Sequence, residues 1–158
     1  MKKFMILFYA LLIGTASFAA DTVVVNKRVL QSFEAGFPDA AEISWYQLPG
    51  TYQASFIAKG IRTKASYRND GTLLNFSRYY QEDHLPYYIQ LNVKEQYPGK
   101  KIFGVTELSS NSNSGDNLDV EYYIKLGDDK EWLTVKVNND GEMSVTEKFK
   151  KPASVTVK

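Results

Sequence analysis

The sequence predicts an α+β fold made of two tandem helix-plus-four-strand repeats, with an antiparallel sheet that the helices cover on one face. Three observations carry this. An apolar spacing suited to a helix gives way to strict alternation suited to strands, and the switch happens twice along the chain. The turn "YRNDGTLL", Tyr67 to Leu74, returns as "VNNDGEMS", Val137 to Ser144. The echo also extends beyond the turn: Val29, Phe33 and Phe37-Pro38 align with Ile89, Val93 and Tyr97-Pro98, and Tyr52, Ala54 and Phe56 align with Tyr122, Ile124 and Leu126. One insertion, "SSNSNSGDNL" from Ser109 to Leu118, separates the two offsets.

The chain begins with Lys2 and Lys3, an apolar run "FMILFYALLIG" and the small residues of "TASFAA". This is the pattern of a secretory signal peptide spanning residues 1–19. Cleavage after Ala19 places Ser17 and Ala19 at the two positions that must be small, and cleavage after Ala20 is the neighbouring alternative. The run is shorter than the about 20 apolar residues that a spanning helix needs, so no stable membrane insertion is expected once it is removed. The exported part, residues 20–158, is long enough for one domain with its own core. It contains no cysteine, so burial of its Tyr, Phe, Val, Ile and Leu has to stabilise it without disulfides. Without Lys2 and Lys3 the basic residues number 17 against 18 acidic ones, which gives no general attraction to nucleic acid.

In the first repeat, residues 26–80, Val29, Phe33 and Phe37 fall four apart with Leu30 on the same side: one buried helical stripe. Pro38 ends it, because the residue before a proline is pushed out of the helical region. Strands are expected at Ala41–Leu48, Tyr52–Ala58, Ile61–Arg68 and Thr72–Tyr80, joined by "LPGT", "AKG" and "NDG", where Gly and Asn accept the backbone of tight hairpins. A connector, residues 81–84, leads to the second repeat, residues 85–149. Pro86 suits the opening turn of its helix, Ile89, Val93 and Tyr97 form the stripe with Leu85 one turn earlier, and Pro98 closes it. Its strands are expected at Lys101–Leu108, Val120–Leu126, Trp132–Asn138 and Glu142–Phe149, and the tail Lys150–Lys158 is assigned no role.

Phe37-Pro38, Trp45, "YQASF" at Tyr52–Phe56 and "ASYRNDG" at Ala65–Gly71, followed by "LPYYIQLNVKEQYP", resemble the PepSY-like domain family of exported bacterial proteins. The resemblance covers nearly all of residues 20–158, and its motifs are structural. It implies the fold of the secreted β-lactamase inhibitor proteins, in which two helix-plus-four-strand repeats make one curved sheet, and a habit of binding other molecules. The absence of cysteine departs from the disulfide-bearing inhibitors, so inhibition of a β-lactamase is not implied.

Alternation along the strands separates two faces. One phase holds Ile43, Trp45, Tyr52, Ala54, Phe56, Ala65, Tyr67, Phe103, Val105, Tyr122, Ile124, Leu126, Leu133, Val135 and Val137, and is expected to meet the helices. The other holds Tyr46, Arg62, Lys64, Arg68, Tyr123, Lys125, Trp132 and Lys136 among Gln, Ser and Thr, with Glu42, Glu107 and Glu121 as its carboxylates. The last strand of each repeat fits neither phase cleanly, since Leu73, Leu74 and Phe76 straddle both.

Aromatic and Arg residues are frequent anchors of protein interfaces. Tyr46, Arg62, Lys64, Arg68, Tyr123, Trp132 and Lys136 are therefore the expected partner-binding residues of a non-catalytic, inhibitor-like binding module in the periplasm or outside the cell, its partner an envelope or secreted protein. A carbohydrate-binding module, with Tyr46, Tyr123 and Trp132 stacking on sugar rings, is the alternative, and a carboxylate-pair hydrolase a weaker one. Catalysis otherwise finds little support: the single histidine, His84, lies in the connector, and no G-x-S-x-G elbow is present. No cofactor is expected. No metal is expected either: Glu82, Asp83 and His84 are adjacent and splay apart, Asp83 suiting a linker or helix-capping role, while one carboxylate in each "NDG" turn falls short of a calcium site.

Overall fold

The computed structural model describes residues 23–111 and 118–152. The expected signal peptide, the middle of the insertion and most of the tail lie outside them. The order is α1 (Lys27–Gly36), β1 (Ala41–Leu48), β2 (Thr51–Ala58), β3 (Ile61–Arg68), β4 (Leu73–Tyr80), a 3-10 turn (Glu82–His84), α2 (Tyr87–Gln96), β5 (Lys101–Asn111), β6 (Leu118–Gly127), β7 (Glu131–Val137) and β8 (Met143–Lys150). Among the described residues eight strands form one sheet in sequence order, each neighbour antiparallel, with β1 and β8 at its edges.

Local chemistry sets the helix ends. The Asn26 side chain accepts from the Arg28 N–H at 2.9 Å and caps α1, and the Phe37 N–H donates to Phe33 O before Pro38 stops the helix. Pro86 stands at the N-cap of α2, which has no side-chain cap. Gln90 instead ties the opening turn, its Nε2 donating to Glu82 O and Leu85 O. Asp83 does not cap the helix: it pairs with His84 at 2.9 Å in the exposed 3-10 turn, so it serves the connector alone.

Each helix buries two stripe residues, Val29 and Phe33 in α1, Ile89 and Val93 in α2. Val29 and Phe33 pack with Tyr52, Ala54, Phe56, Ala65 and Tyr67. Ile89 and Val93 pack with Tyr80, Leu85, Val105, Ile124, Leu126, Leu133, Val135 and Val137. Phe76, against the first cluster, and Tyr80, in the second, lie on the same side of β4, so both helices cover the same face of the sheet.

Between the clusters the covered face carries a polar row, Thr63, Arg78, Glu107 and Tyr122 on β3 to β6. Glu107 is only 4% exposed. One of its oxygens accepts from Arg78 Nε at 3.0 Å and Nη2 at 2.5 Å, and the other from the Tyr80 hydroxyl at 2.6 Å. A buried carboxylate is tolerated when satisfied in this way. Glu107 therefore belongs to the seam between the cores and not, as the sequence suggested, to the uncovered face. Burial and the acidic partner together push the Tyr80 phenol well above its ordinary range.

Four bulges among the described residues displace side chains from strict alternation, one of them between Thr134 and Val135, where β8 carries Thr146 as the extra residue. At the bulge between Ala41 and Ser44, with Glu42 at φ 54°, Ile43 of edge strand β1 stays 44% exposed and does not pack on the helix-side cluster. Between Ile102 and Gly104, Ile102 packs on the core and Phe103, 44% exposed, faces outward. At Ser66/Tyr67 opposite Leu73 and Asn75, Leu74 is the extra residue, so Leu73 and Phe76 both reach the same cluster although three apart. Ile43 and Phe103 are thus not core residues: Phe103 is the inserted residue of its bulge and turns to the other face, and Ile43 lies exposed on the edge strand.

Candidate functional site

Among the described residues no element covers the face opposite the helices, and pairing registers place its side chains in rows. The central row runs Ile57, Arg62, Tyr79, Thr106, Tyr123, Lys136, Ser144 from β2 to β8. On one side of it lies Ser55, Lys64, Ser77, Leu108, Glu121, and beyond that Tyr46, Gln53, Ser66, Asn75, Ser110. On the other side lie Gly104, Lys125 and Thr134, then Lys101, Gly127, Trp132 and Phe149.

The structure therefore brings together Arg62, Tyr123 and Lys136, with Lys64 one row away, and separates the other expected residues. Tyr46, 53% exposed, stands on edge strand β1, and Arg68 ends β3 opposite Thr51 at the hairpin margin. Trp132 occupies the far corner, six strands from Tyr46 or about 29 Å at the usual strand spacing. Neither Tyr46 nor Trp132 is central.

Trp132 is also engaged within its own chain. Phe103 packs edge-on against it, ring centroids 4.4 Å apart at 68°. Lys151 Nζ lies 4.1 Å from the ring centroid while donating to Asp128 O, and Lys125 Nζ lies 5.5 Å away. The indole rests across Gly127, where an added Cβ would stand 2.5 Å from Trp132 Cε3. Part of the tail thus has a role after all: Lys150 ends β8 and Lys151 covers Trp132.

The cations of the face fall into two groups. Lys136 is neutralised by Glu121 at 2.5 Å, and Glu121 also accepts from the Tyr123 hydroxyl at 2.9 Å. The Lys136 contact holds the Glu121 carboxyl below its ordinary range, and the same contact raises Lys136. Burial, then the hydrogen bond to Glu121, raises the Tyr123 phenol. Among the described residues, Arg62, Lys64, Arg68 and Lys125 have no carboxylate within ion-pair distance. Lys64 Nζ stands 6.0 Å from the Tyr79 ring centroid, and Tyr79 accepts from the Ser77 hydroxyl at 3.1 Å.

Tyr79 and Gly104 escaped the sequence reading. Tyr79 sits on the strand whose phase the Leu74 bulge obscured, although Tyr80 in the core implies Tyr79 outside. Gly104 was the available signal for its own bulge, since glycine inside a strand often marks one. Around it lies a dent of about 300 Å³ lined by Tyr79, Tyr80, Gln81, Gly104, Val105, Thr106 and Lys125. No group of three or more His, Asp or Glu side chains converges on a metal-sized site among the described residues. No helix among them is long and apolar enough to cross a membrane.

No protein-family model matches the sequence, and no curated protein matches it. Solved structures do. A BLIP-like protein from Bacteroides fragilis superposes with a TM-score of 0.63 at 15% identity, covering 81% of this chain and 87% of that one. A DUF2874 family protein from Bacteroides ovatus gives 0.62 at 17% identity, covering 81% and 89%, and one from Bacteroides uniformis gives 0.59 at 14%, covering 80% and 90%. Likeness at these identities shows the fold: the described residues have the BLIP-like arrangement of one eight-stranded antiparallel sheet with two helices.

Proposed function

We propose that this protein is an exported, non-catalytic binding module of the PepSY-like kind, built from two copies of one helix-plus-four-strand unit, and that it holds an acidic protein segment on the uncovered sheet face. One observation carries the reading: Arg62 opposite Tyr79, Lys64 over its ring and Lys125 across the dent that Tyr79 lines have no carboxylate partner among the described residues, while Glu121 is already held by Lys136. The helices need only the other face, and charge complementarity favours an acidic partner. The N-terminal lysines, apolar run and small residues support export, and the neighbours' fold supports a module without its own chemistry.

The carbohydrate reading is weaker on this geometry. Lys151 and Phe103 pack on Trp132, and Glu121 tethers Tyr123, so neither ring is a free stacking plane. The test is capture of an envelope or secreted protein by the exported chain, followed by affinity measurements with the purified partner. Arg62→Ala and Tyr79→Ala should each weaken binding by about 2 kcal/mol, as interface anchors do, with the melting temperature unchanged. Trp132→Ala should lower the melting temperature instead. Binding indifferent to both Arg62→Ala and Tyr79→Ala would move the site off this face.

A further inference from the structure

We propose that the dent at Gly104 is the anchor point of the uncovered face and that it receives a glutamate or aspartate side chain from the bound segment. This rests on the sheet-face reading above and adds which group enters the face, and where.

The dent has an identifiable origin. Strand β4 ends at Tyr80, opposite Val105, so no β4 residue stands beside Gly104. The bulge between Ile102 and Gly104 sends Phe103 outward, and Phe103 is taken up by Trp132. Gly104 brings no side chain, and a Cβ built on it meets nothing within 4 Å. Backbone of Tyr80 and Val105 floors the space, and Tyr79, Gln81, Thr106 and Lys125 rim it.

The rim favours a carboxylate. Tyr79 accepts from Ser77, which leaves its own proton to donate, and Thr106 adds a hydroxyl. Lys125 supplies an ammonium without a carboxylate partner among the described residues, and Lys64 lies over Tyr79. The nearby carboxylates do not compete, because Glu121 is held by Lys136 and Tyr123, and Glu147 by Thr134 at 2.9 Å. A neutral side chain entering the dent would desolvate Lys125 without pairing it, whereas a carboxylate pairs it and accepts from the hydroxyls.

The test titrates a short fluorescein-labelled peptide of serine, tyrosine and glutamate into the full chain, beside a counterpart with glutamine at every glutamate. The glutamate probe should bind about tenfold or more tighter than the glutamine probe, and should weaken as salt screens the pairing. Gly104→Leu fills the dent, and Lys125→Met removes its charge; each should lower affinity for the glutamate probe about tenfold or more, as loss of a desolvated charge pair does. Both variants should melt as the parent does, since the space at Gly104 is open and its backbone lies outside the left-handed region. Absence of binding by the glutamate probe, or equal affinity for the two probes, overturns the carboxylate. Full affinity in Gly104→Leu and Lys125→Met, together with loss in Arg62→Ala, overturns the dent while the sheet face stands. Full affinity in all three variants overturns both.

Discussion

Gly71 and Gly141 stand in matching turns, each with positive φ, 94° and 80°, yet their surroundings differ. At Gly141 a Cβ would meet nothing within 4 Å, whereas at Gly71 it would stand 2.9 Å from Arg28 O and 3.0 Å from Ser32 Oγ, because α1 lies against that turn. Gly141→Ala should therefore cost only the left-handed backbone penalty, about 1 kcal/mol. Gly71→Ala adds a clash with helix backbone and should cost clearly more. Chemical denaturation of the two variants measures the difference, and equal losses would mean that α1 does not rest on the turn as described.

At the scale of elements, α1 is held chiefly through one ring. Phe33 packs edge-on against Trp45 at 5.1 Å and Phe56 at 4.9 Å, and also meets Phe37 and Tyr67. Such pairs add to the burial of the ring itself. Phe33→Ala should cost about 3–5 kcal/mol, the range for emptying a large buried aromatic site. Hydrogen exchange would show the loss concentrated in α1 and β1–β4, because α2 packs on a different cluster. Uniform loss of protection across both halves would show instead that the two clusters unfold as one. The bulges matter at the same scale: the one before Gly104 moves Phe103 from the core to the site, and so creates both the Trp132 corner and the dent beside it.

For the whole molecule, one charged cluster ties four segments of the second half together. Lys100, ahead of β5, donates to Asp128 at 2.6 Å and Glu131 at 2.9 Å, and Lys148 of β8 reaches Glu131 at 2.9 Å. Lys100, followed by the backbone N–H groups of Lys130 and Glu131, holds Asp128 well below 3.8; Lys148 and then Lys100 hold Glu131 below 4.5. Both carboxylates are lowered in the folded state, so their stabilisation is present above those ordinary values and disappears as pH falls through the lowered ones. Lys100 is raised above 10.5, so its share is present at neutral pH and is lost only above that value. Lys100→Met should lower stability near neutral pH and make the fall in melting temperature between about pH 5 and pH 2 shallower than in the parent. An unchanged acid limb would show that the cluster does not contribute.

The sequence by itself determined the class of fold, the ends of both helices and the strands to within a few residues, because stripes at Val29/Phe33 and Ile89/Val93, prolines at 38 and 98, and "NDG" turns act locally. It also determined that one sheet face would carry Arg62, Lys64, Tyr123 and Lys136, since alternation needs no knowledge of the partner strand. What only the tertiary structure decided is which of these residues meet and which are free. Pairing register across β1 to β7 places Arg62, Tyr79, Tyr123 and Lys136 in one row and sends Tyr46 and Trp132 to opposite margins. A bulge turns Phe103 to the other face, the sheet edge leaves Ile43 exposed, and the pairing of β4 with β5 puts Glu107 under Arg78 and Tyr80. The physical reason is that phase along one strand is a local property, whereas register between strands, the neutralising of one charge by another and the space left at a glycine depend on residues far apart in the chain.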